Sequence, residues 1–436
     1  MIAREKYMKQ ILDFVDKPVI KVLTGMRRSG KSVLLELTRQ ALIDRNIKAQ
    51  NIFYINFESL RYEHLKDYHA LYGKILGRAK KVHGKIYILL DEIQEVIGWE
   101  QAVNSFRVDL DCDIYITGSN ARMLSGELAT LLTGRYIEIR VYPLDFKEYL
   151  DFTATNADEI SLSDNTKLHI KQRLRFANVD RPTSENSGAY ASNVTWYQEH
   201  FAGFLRFGGL PGIHQMKWKE DRIMQYLTDI YHSVLLKDVI ARNKIRDVSL
   251  LENIVRYVMD NIGNIFSAKA ISDFLKNQGR KLSTETVYNY LIALEEAFLI
   301  HKASRFDIKG KRLLETQEKY YLSDLGLRHA LIGYQGKDIA GLLENVVYLE
   351  LCRRGYKVYI GKQGTAEVDF VANRGDDRLY IQVAYVLTEE NTEREFTPLE
   401  AIMDNYEKIV ISTDSLININ RGGICQKNII DFLLAK

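Results

Sequence analysis

The sequence predicts an α/β protein whose leading 150 residues form a parallel sheet with helices on both faces. Three observations predict it. Short runs rich in Val, Ile, Tyr and Phe recur through this part of the chain, helical patterns separate them, and glycines and acids collect where the runs end. The expected strands are Val19–Leu23, Ile52–Phe57, Ile86–Leu90, Ile114–Thr117 and Tyr136–Val141.

The chain has 436 residues, too many for one compact core, so several units are expected. Residues 1–150 carry the parallel sheet. Residues 151–198 read as a polar insertion or linker, because Thr153-Ala154-Thr155-Asn156 and Arg181–Gly188 have turn-forming composition. Residues 199–260 are a helical segment interrupted at Gly208-Gly209-Leu210-Pro211-Gly212, residues 261–335 a helix–helix–hairpin unit, and residues 336–436 a mixed α/β unit.

An apolar share of 46% and a charged share of 27% are those of an ordinary globular chain. No apolar run is long enough to span a bilayer, and the N-terminus lacks the apolar core of a signal peptide. Cys112, Cys352 and Cys425 form no CxxC pair, which argues against a disulfide framework or a zinc site and suits a cytoplasmic location. A net charge of +3 gives no global warrant for nucleic-acid binding; only a local patch can supply one.

Gly25-Met26-Arg27-Arg28-Ser29-Gly30-Lys31-Ser32 fits GxxxxGK[ST] between an apolar strand and the helical run Val33-Leu34-Leu35-Glu36-Leu37. Glycines let such a loop curl so that its N–H groups point at phosphate oxygens, and the following helix adds its positive end. The expected nucleotide-binding set is Gly25, Arg28, Ser29, Gly30, Lys31, Ser32, Val33 and Ser119, and the ligands are ATP and Mg²⁺. Lys31 reaches the β- and γ-phosphates, and Ser32 ligates the metal.

Ile86-Tyr87-Ile88-Leu89-Leu90-Asp91-Glu92 is an apolar strand ending in two acids, at the edge where open α/β sheets bind ligands. Asp91 is expected to hold Mg²⁺ with Ser32. Glu92 is the candidate general base for the attacking water. At the end of the Ile114–Thr117 run, Ser119 or Asn120 is placed to hydrogen-bond the γ-phosphate or that water; the alternative is a helix N-cap.

These motifs, with Leu132-Thr133-Gly134-Arg135-Tyr136 and Tyr142-Pro143-Leu144-Asp145-Phe146, resemble prokaryotic AAA-superfamily ATPases. Gly208-Gly209-Leu210-Pro211 and Leu343–Leu351 resemble the group carrying a C-terminal DUF4143-type domain. The resemblance implies an ATPase that works as a homo-oligomer, a sensor role for Asn120 or Ser119, and Arg135 as an arginine finger acting on a neighbouring subunit. A surface salt bridge is the alternative for Arg135, and Arg122 is its rival. Nothing in their spacing decides whether Arg206 or Arg242 adds a phosphate contact.

Ser267 and Ser283 are expected to cap two helices; in the second, Val287, Tyr290, Leu291, Leu294 and Phe298 form an inward stripe. With strands Ile300–Phe306 and Lys319–Leu322 around the basic turn 307–312, this unit resembles a winged helix. DNA through residues 280–312 is therefore a candidate partner, with Thr284, Glu285 and Tyr288 toward the groove and Lys309, Lys311 and Arg312 on phosphates. A packing role without DNA is the alternative.

Glu367–Ala372 and Leu379–Ala384, joined at Gly375-Asp376-Asp377, with Glu344 on the preceding helix, resemble the core of PD-(D/E)xK nucleases. Asp369 matches the first acid, but Gln382 stands at the second and Ala384 at the lysine, so cleavage is not expected. Glu367 is set aside as a substitute ligand, on the expectation that it faces away from Asp369. This unit is a candidate surface for a protein client. The leading expectation is an ATP-driven switch or remodeller of nucleic acid or protein. The alternatives are a nucleotide-regulated DNA-binding module and, behind it, an ATP-dependent nuclease.

Overall fold

The structure, a computed structural model, describes residues 2–121, 132, 134–155, 187–277, 282–334, 338–414 and 419–435. Arg122, most of the expected polar insertion (156–186), and positions 280 and 281 of the candidate DNA surface lie outside them. The chain divides into two compact units. The first holds residues 1–143 with 296–298; the second holds 144–295 and 299–436.

In the first unit the elements run α1 (Glu5–Asp13), β1 (Ile20–Thr24), α2 (Lys31–Asp44), β2 (Ile52–Asn56), α3 (Tyr68–Ala79), β3 (Ile86–Asp91), α4 (Trp99–Asp109), β4 (Cys112–Gly118) and β5 (Tyr136–Arg140). The sheet is entirely parallel, in the order β2-β3-β4-β1-β5. Alternating side chains of its strands feed two cores. Ile88 and Leu90 pack with Leu71, Ile75, Val103 and Phe106 of α3 and α4. Tyr87 and Leu89 pack with Tyr7, Ile11, Leu34 and Leu35 of α1 and α2. A strand covered on both faces has no polar side, which is why β1 and β3 read as continuous apolar runs. One exception is Lys21, fully buried within β1 and paired there with Asp113 of β4.

The second unit begins with α5 (Phe146–Thr155), α6 (Ser187–Phe207), α7 (Glu220–Val234) and α8 (Val248–Asp260). Thr153 and its neighbours, expected in a loop, continue α5. The Thr153 hydroxyl donates to the Tyr149 carbonyl at 2.8 Å, a back-bond that lets threonine sit inside a helix. Next come β6 (Ile265–Phe266), α9 (Ala268–Asn277), α10 (Thr284–Glu296), β7 (Ile300–Asp307) and β8 (Arg312–Leu322). Ser267 and Ser283 cap α9 and α10, accepting from the N–H of Ala270 and Thr286. In α10 the stripe of Val287, Leu291 and Leu294 is buried.

After α11 (Leu325–Ile332) follow α12 (Ile339–Arg353), β9 (Lys357–Gln363), β10 (Ala366–Arg374), β11 (Asp377–Val383), α13 (Glu389–Glu400), β12 (Glu407–Ser412), β13 (Asn420–Arg421), β14 (Ile424–Asn428) and α14 (Ile429–Leu434). One nine-stranded sheet, β13-β14-β12-β11-β10-β9-β7-β8-β6, takes in every strand among the unit's described residues. It crosses residue 336, because β7 pairs parallel with β9 through Arg305↔Ile360 and Phe306↔Gly361. Local periodicity marks each strand but says nothing about a pairing this distant in sequence.

The Gly208-Gly209 turn is held by Asp324, which accepts from the N–H of Gly209 at 2.7 Å and of Gly326 at 2.9 Å. Burial pushes the Asp324 carboxyl up to about 6, although these backbone donors oppose the shift. A Cβ at residue 208 would meet Asp324 Oδ1 at 2.1 Å, and its φ of +75° already favours glycine.

Candidate functional site

β1 delivers the chain into the Gly25–Ser32 loop, and α2 leaves it at Lys31. The loop needs glycine at its first position: Gly25 has φ +144°, and a Cβ there would lie 2.1 Å from the Val141 carbonyl oxygen. Gly30, at φ 102°, forms the N-cap of α2, and Arg28 also takes a left-handed φ of 68°. Lys31 Nζ donates to the carbonyls of Gly25 at 2.9 Å and Met26 at 3.0 Å, and lies 3.9 Å from Glu92 Oε1. Val33 is exposed in the first turn of α2, and Arg28 is exposed on the loop. Ser29 Oγ is fully buried and makes no hydrogen bond among the described residues.

The acid pair sits beside this loop. Ser32 Oγ donates to Asp91 Oδ1 at 3.1 Å. The same carboxylate accepts from Thr117 Oγ1 at 2.5 Å and from Asn56 Nδ2 at 2.9 Å. Burial raises the Asp91 pKa, and the Thr117 and Ser32 hydroxyls work against that rise. Glu92 takes a left-handed φ of 54°. This conformation is uncommon away from glycine. The Glu92 carboxylate accepts from Ser119 Oγ at 3.3 Å and from Gln94 Nε2, and its N–H donates to Thr117 Oγ1 at 2.9 Å. Asn120 stands just past the end of β4, on the sheet edge that carries Asp91.

Thus Lys31, Ser32, Asp91, Glu92 and Ser119 converge. Arg135 does not join them. It precedes β5 and its carbonyl accepts from Ile20 N, so it lies at the opposite edge of the parallel sheet, its guanidinium donating to Asn104 at 3.3 Å. Arg206 and Arg242 pair with Glu220 and Asp238 inside the second unit.

Two contributors have no place in the sequence reading. Asn56 ends β2 as Asp91 ends β3, and the same strand-end logic would have found it. Arg4 precedes α1 in a charged stretch that carries no motif. Buried, it donates to the Ser29 carbonyl at 3.0 Å, the Tyr142 carbonyl at 2.8 Å and the Pro143 carbonyl at 3.3 Å. It thereby ties the phosphate loop to the end of the first unit.

Residues 17–150 match the family model described as an AAA domain. An uncharacterized protein of Haemophilus influenzae is 40% identical over 434 residues, covering 100% of this chain and 99% of that protein. The chain belongs to this family of AAA-domain proteins. MJ1544 of Methanocaldococcus jannaschii, also described as uncharacterized, is 31% identical over 395 residues, covering 88% of this chain and 79% of that one. Among solved structures, the Walker-type ATPase PABY2304 of Pyrococcus abyssi aligns with 16% identity and a TM-score of 0.47, over 76% of this chain and 96% of that one. The DUF4143 resemblance is corrected: the family model that matches residues 198–338 is a different domain of unknown function, DUF8612. A short glycine-proline turn such as Gly208–Pro211 fixes a backbone shape without marking a family. Among the described residues of this AAA-domain protein, no helix is long and apolar enough to cross a membrane.

Proposed function

We propose that the AAA domain binds ATP with Mg²⁺ and hydrolyses it, and that the nucleotide state switches the second unit's hold on a nucleic-acid or protein client. The observation that carries the reading is the 3.1 Å contact between Ser32 and Asp91, a hydroxyl and a carboxylate side by side next to the glycine loop. That donor pair suits a hard cation that keeps most of its ligands as water and phosphate. Ser32 and Asp91 would hold Mg²⁺, which when bound offsets charge on the β- and γ-phosphate oxygens. Loop N–H groups and Lys31 bind the phosphates. Glu92, aimed by Ser119 and Gln94, takes the proton of the attacking water, and Asn120 reports on the γ-phosphate. Arg135 serves a neighbouring subunit's site, which its place at the far edge of the sheet favours. Lys31→Ala is expected to abolish Mg²⁺-dependent ATP turnover, read as phosphate release; a rate equal to wild type would end the hydrolysis proposal.

Arg4 holds the loop through the Ser29 carbonyl. Removing it strips a charged donor from three carbonyls, and hydrogen bonds to charged groups contribute about 1.5–3 kcal/mol each. Arg4→Ala is expected to raise the ATP concentration at half-maximal turnover about tenfold, with a smaller change in kcat. An equal loss in kcat at unchanged KM would assign Arg4 a different role.

A DNA contact is the second reading. What supports it is the order α8–β6–α9–α10–β7–β8 with β6 on the outer edge of β8, as in a winged helix, and the exposed Lys309, Lys311 and Arg312 on the connecting turn. What supports a nuclease-like reading of residues 336–436 is the run α12–β9–β10–β11–α13–β12, with Glu344 and Asp369 brought to one lysine.

A further inference from the structure

Lys319 lies near the end of β8 and is almost wholly buried, its side chain 3% exposed. Its ammonium faces three carboxylates: Glu344 on α12 at 3.0 Å, and Glu367 and Asp369 on β10 at 2.7 Å and 3.7 Å. Glu367 therefore does not face away from Asp369. The two are separated by a single residue, and a strand's period of two puts them on one face. Tyr321 Oη donates to Glu344 at 3.2 Å, and Val383 N donates to Asp369 at 2.8 Å. Gln382, at the position of the second acid, accepts from Asp369 N at 3.3 Å.

A nuclease-like core implies a divalent ion at such acids, and here the residues do not fit one. Hard cations need carboxylate oxygens at about 2.0–2.6 Å with little competition for those oxygens. The oxygens that would supply them are already engaged by an ammonium standing at their centre. Among the described residues, no group of three or more His, Cys, Asp or Glu side chains is arranged to hold a metal. Burial alone would lower the Lys319 pKa, but Glu344, Asp369 and Glu367 outweigh burial and hold it above the ordinary lysine value. Burial, and then the neighbouring Asp369, push the Glu344 carboxyl up to about 8, and the Lys319 ammonium works against that rise.

We infer that Lys319 is a built-in cation standing where a nuclease-like core would hold its metal, converting a catalytic constellation into a fixed pin between β8, α12 and β10. The inference rests on the nuclease-like reading of residues 336–436. The amine cannot replace the lysine missing at Ala384, because its charge is committed to carboxylates and not to water. The pin also makes the basic hairpin and the nuclease-like core one body, in keeping with the sheet that joins them.

The test is Mn²⁺ titration of the full chain without nucleotide, followed by calorimetry and thermal unfolding. Wild type is expected to give the same Mn²⁺ isotherm as Asp369→Asn. Lys319→Ala is expected to gain one saturable site of about 1 mM or tighter and a higher unfolding midpoint with Mn²⁺, both lost when Asp369→Asn is added. A folded Lys319→Ala chain that gains no Mn²⁺ site overturns the inference. So does a wild-type site that Asp369→Asn removes. Should Lys319→Ala fail to fold without metal, the same change combined with Glu344→Gln and Asp369→Asn leaves only Glu367, whose side chain is 34% exposed and solvated by water, and is expected to fold; failure there also overturns it. DNA cleavage is scored in parallel. Mg²⁺-dependent cleavage by wild type that Asp369→Asn abolishes would sink the inactive nuclease-like reading itself, whereas inert wild type with a metal-blind Lys319→Ala removes only the pin.

Discussion

Glu92→Gln is expected to bind ATP as wild type does and to turn it over about 10²–10⁴-fold more slowly, the contribution usual for a positioned general base. The amide preserves the size of the side chain and one of its acceptors, so Ser119 and Gln94 can still aim it. What it loses is the ability to take a proton. It also loses its charge 3.9 Å from Lys31, which frees the ammonium for phosphate and should leave affinity equal or improved. Fluorescent-nucleotide binding and phosphate release, measured on the same preparations, separate the two effects. A parallel loss of binding and turnover would make Glu92 a structural prop for the phosphate loop. An unchanged rate would move the base elsewhere. The same variant, holding ATP unhydrolysed, is the form most apt to retain a client in a pull-down.

The sheet and the glycine loop with its acid pair were legible because their signals are local. The order strand, glycine loop, helix is written in consecutive residues around Gly25–Ser32, and Asp91 and Glu92 directly follow an apolar run. Partners that arrive from elsewhere left no such trace. Arg4 meets Ser29 and Tyr142 only after the sheet has formed. Lys319 reads as one basic residue in a strand until folding brings α12 and β10 to it. The pairing of β7 with β9 depends on a register between segments more than fifty residues apart, which neither period nor composition encodes. Glu367 is the instructive case. Its relation to Asp369 was available from strand geometry alone, since residues i and i+2 share a face.

Asp113→Ala is expected to cost the first unit about 3–5 kcal/mol, the range for removing one partner of a buried ion pair. Lys21 interrupts the apolar run of β1 and is fully buried, so its charge survives only through its neighbours. Asp113 is the chief of these. It also accepts from Tyr115 Oη at 2.7 Å and from Asp16 N at 2.9 Å, while Lys21 Nζ donates to the Lys17 carbonyl at 3.1 Å. The alanine variant leaves the buried Lys21 ammonium without its carboxylate, and the Tyr115 phenol and the Asp16 amide without this acceptor. Burial already lowers the Lys21 pKa, with Asp113 opposing that shift, so removing the acid should lower it further. The sign of the pH dependence follows. A base whose folded pKa lies below its unfolded value penalises folding while both states are charged. The penalty fades as pH rises from the folded pKa toward about 10.5, the unfolded value. Urea unfolding of Asp113→Ala should therefore show a deficit at pH 7 that narrows at alkaline pH, while wild type gains less over the same span. Replacing both partners, as Lys21→Met with Asp113→Leu, should recover the part of the loss that comes from the unpaired charge, leaving the cost of the Tyr115 and Asp16 donors. A deficit that is flat with pH, or undiminished in the double variant, would mean that packing around β4 is what Asp113 supplies, and not charge. β1 leads directly into the phosphate loop, so heating should cost the single variant its nucleotide site well before wild type loses its own.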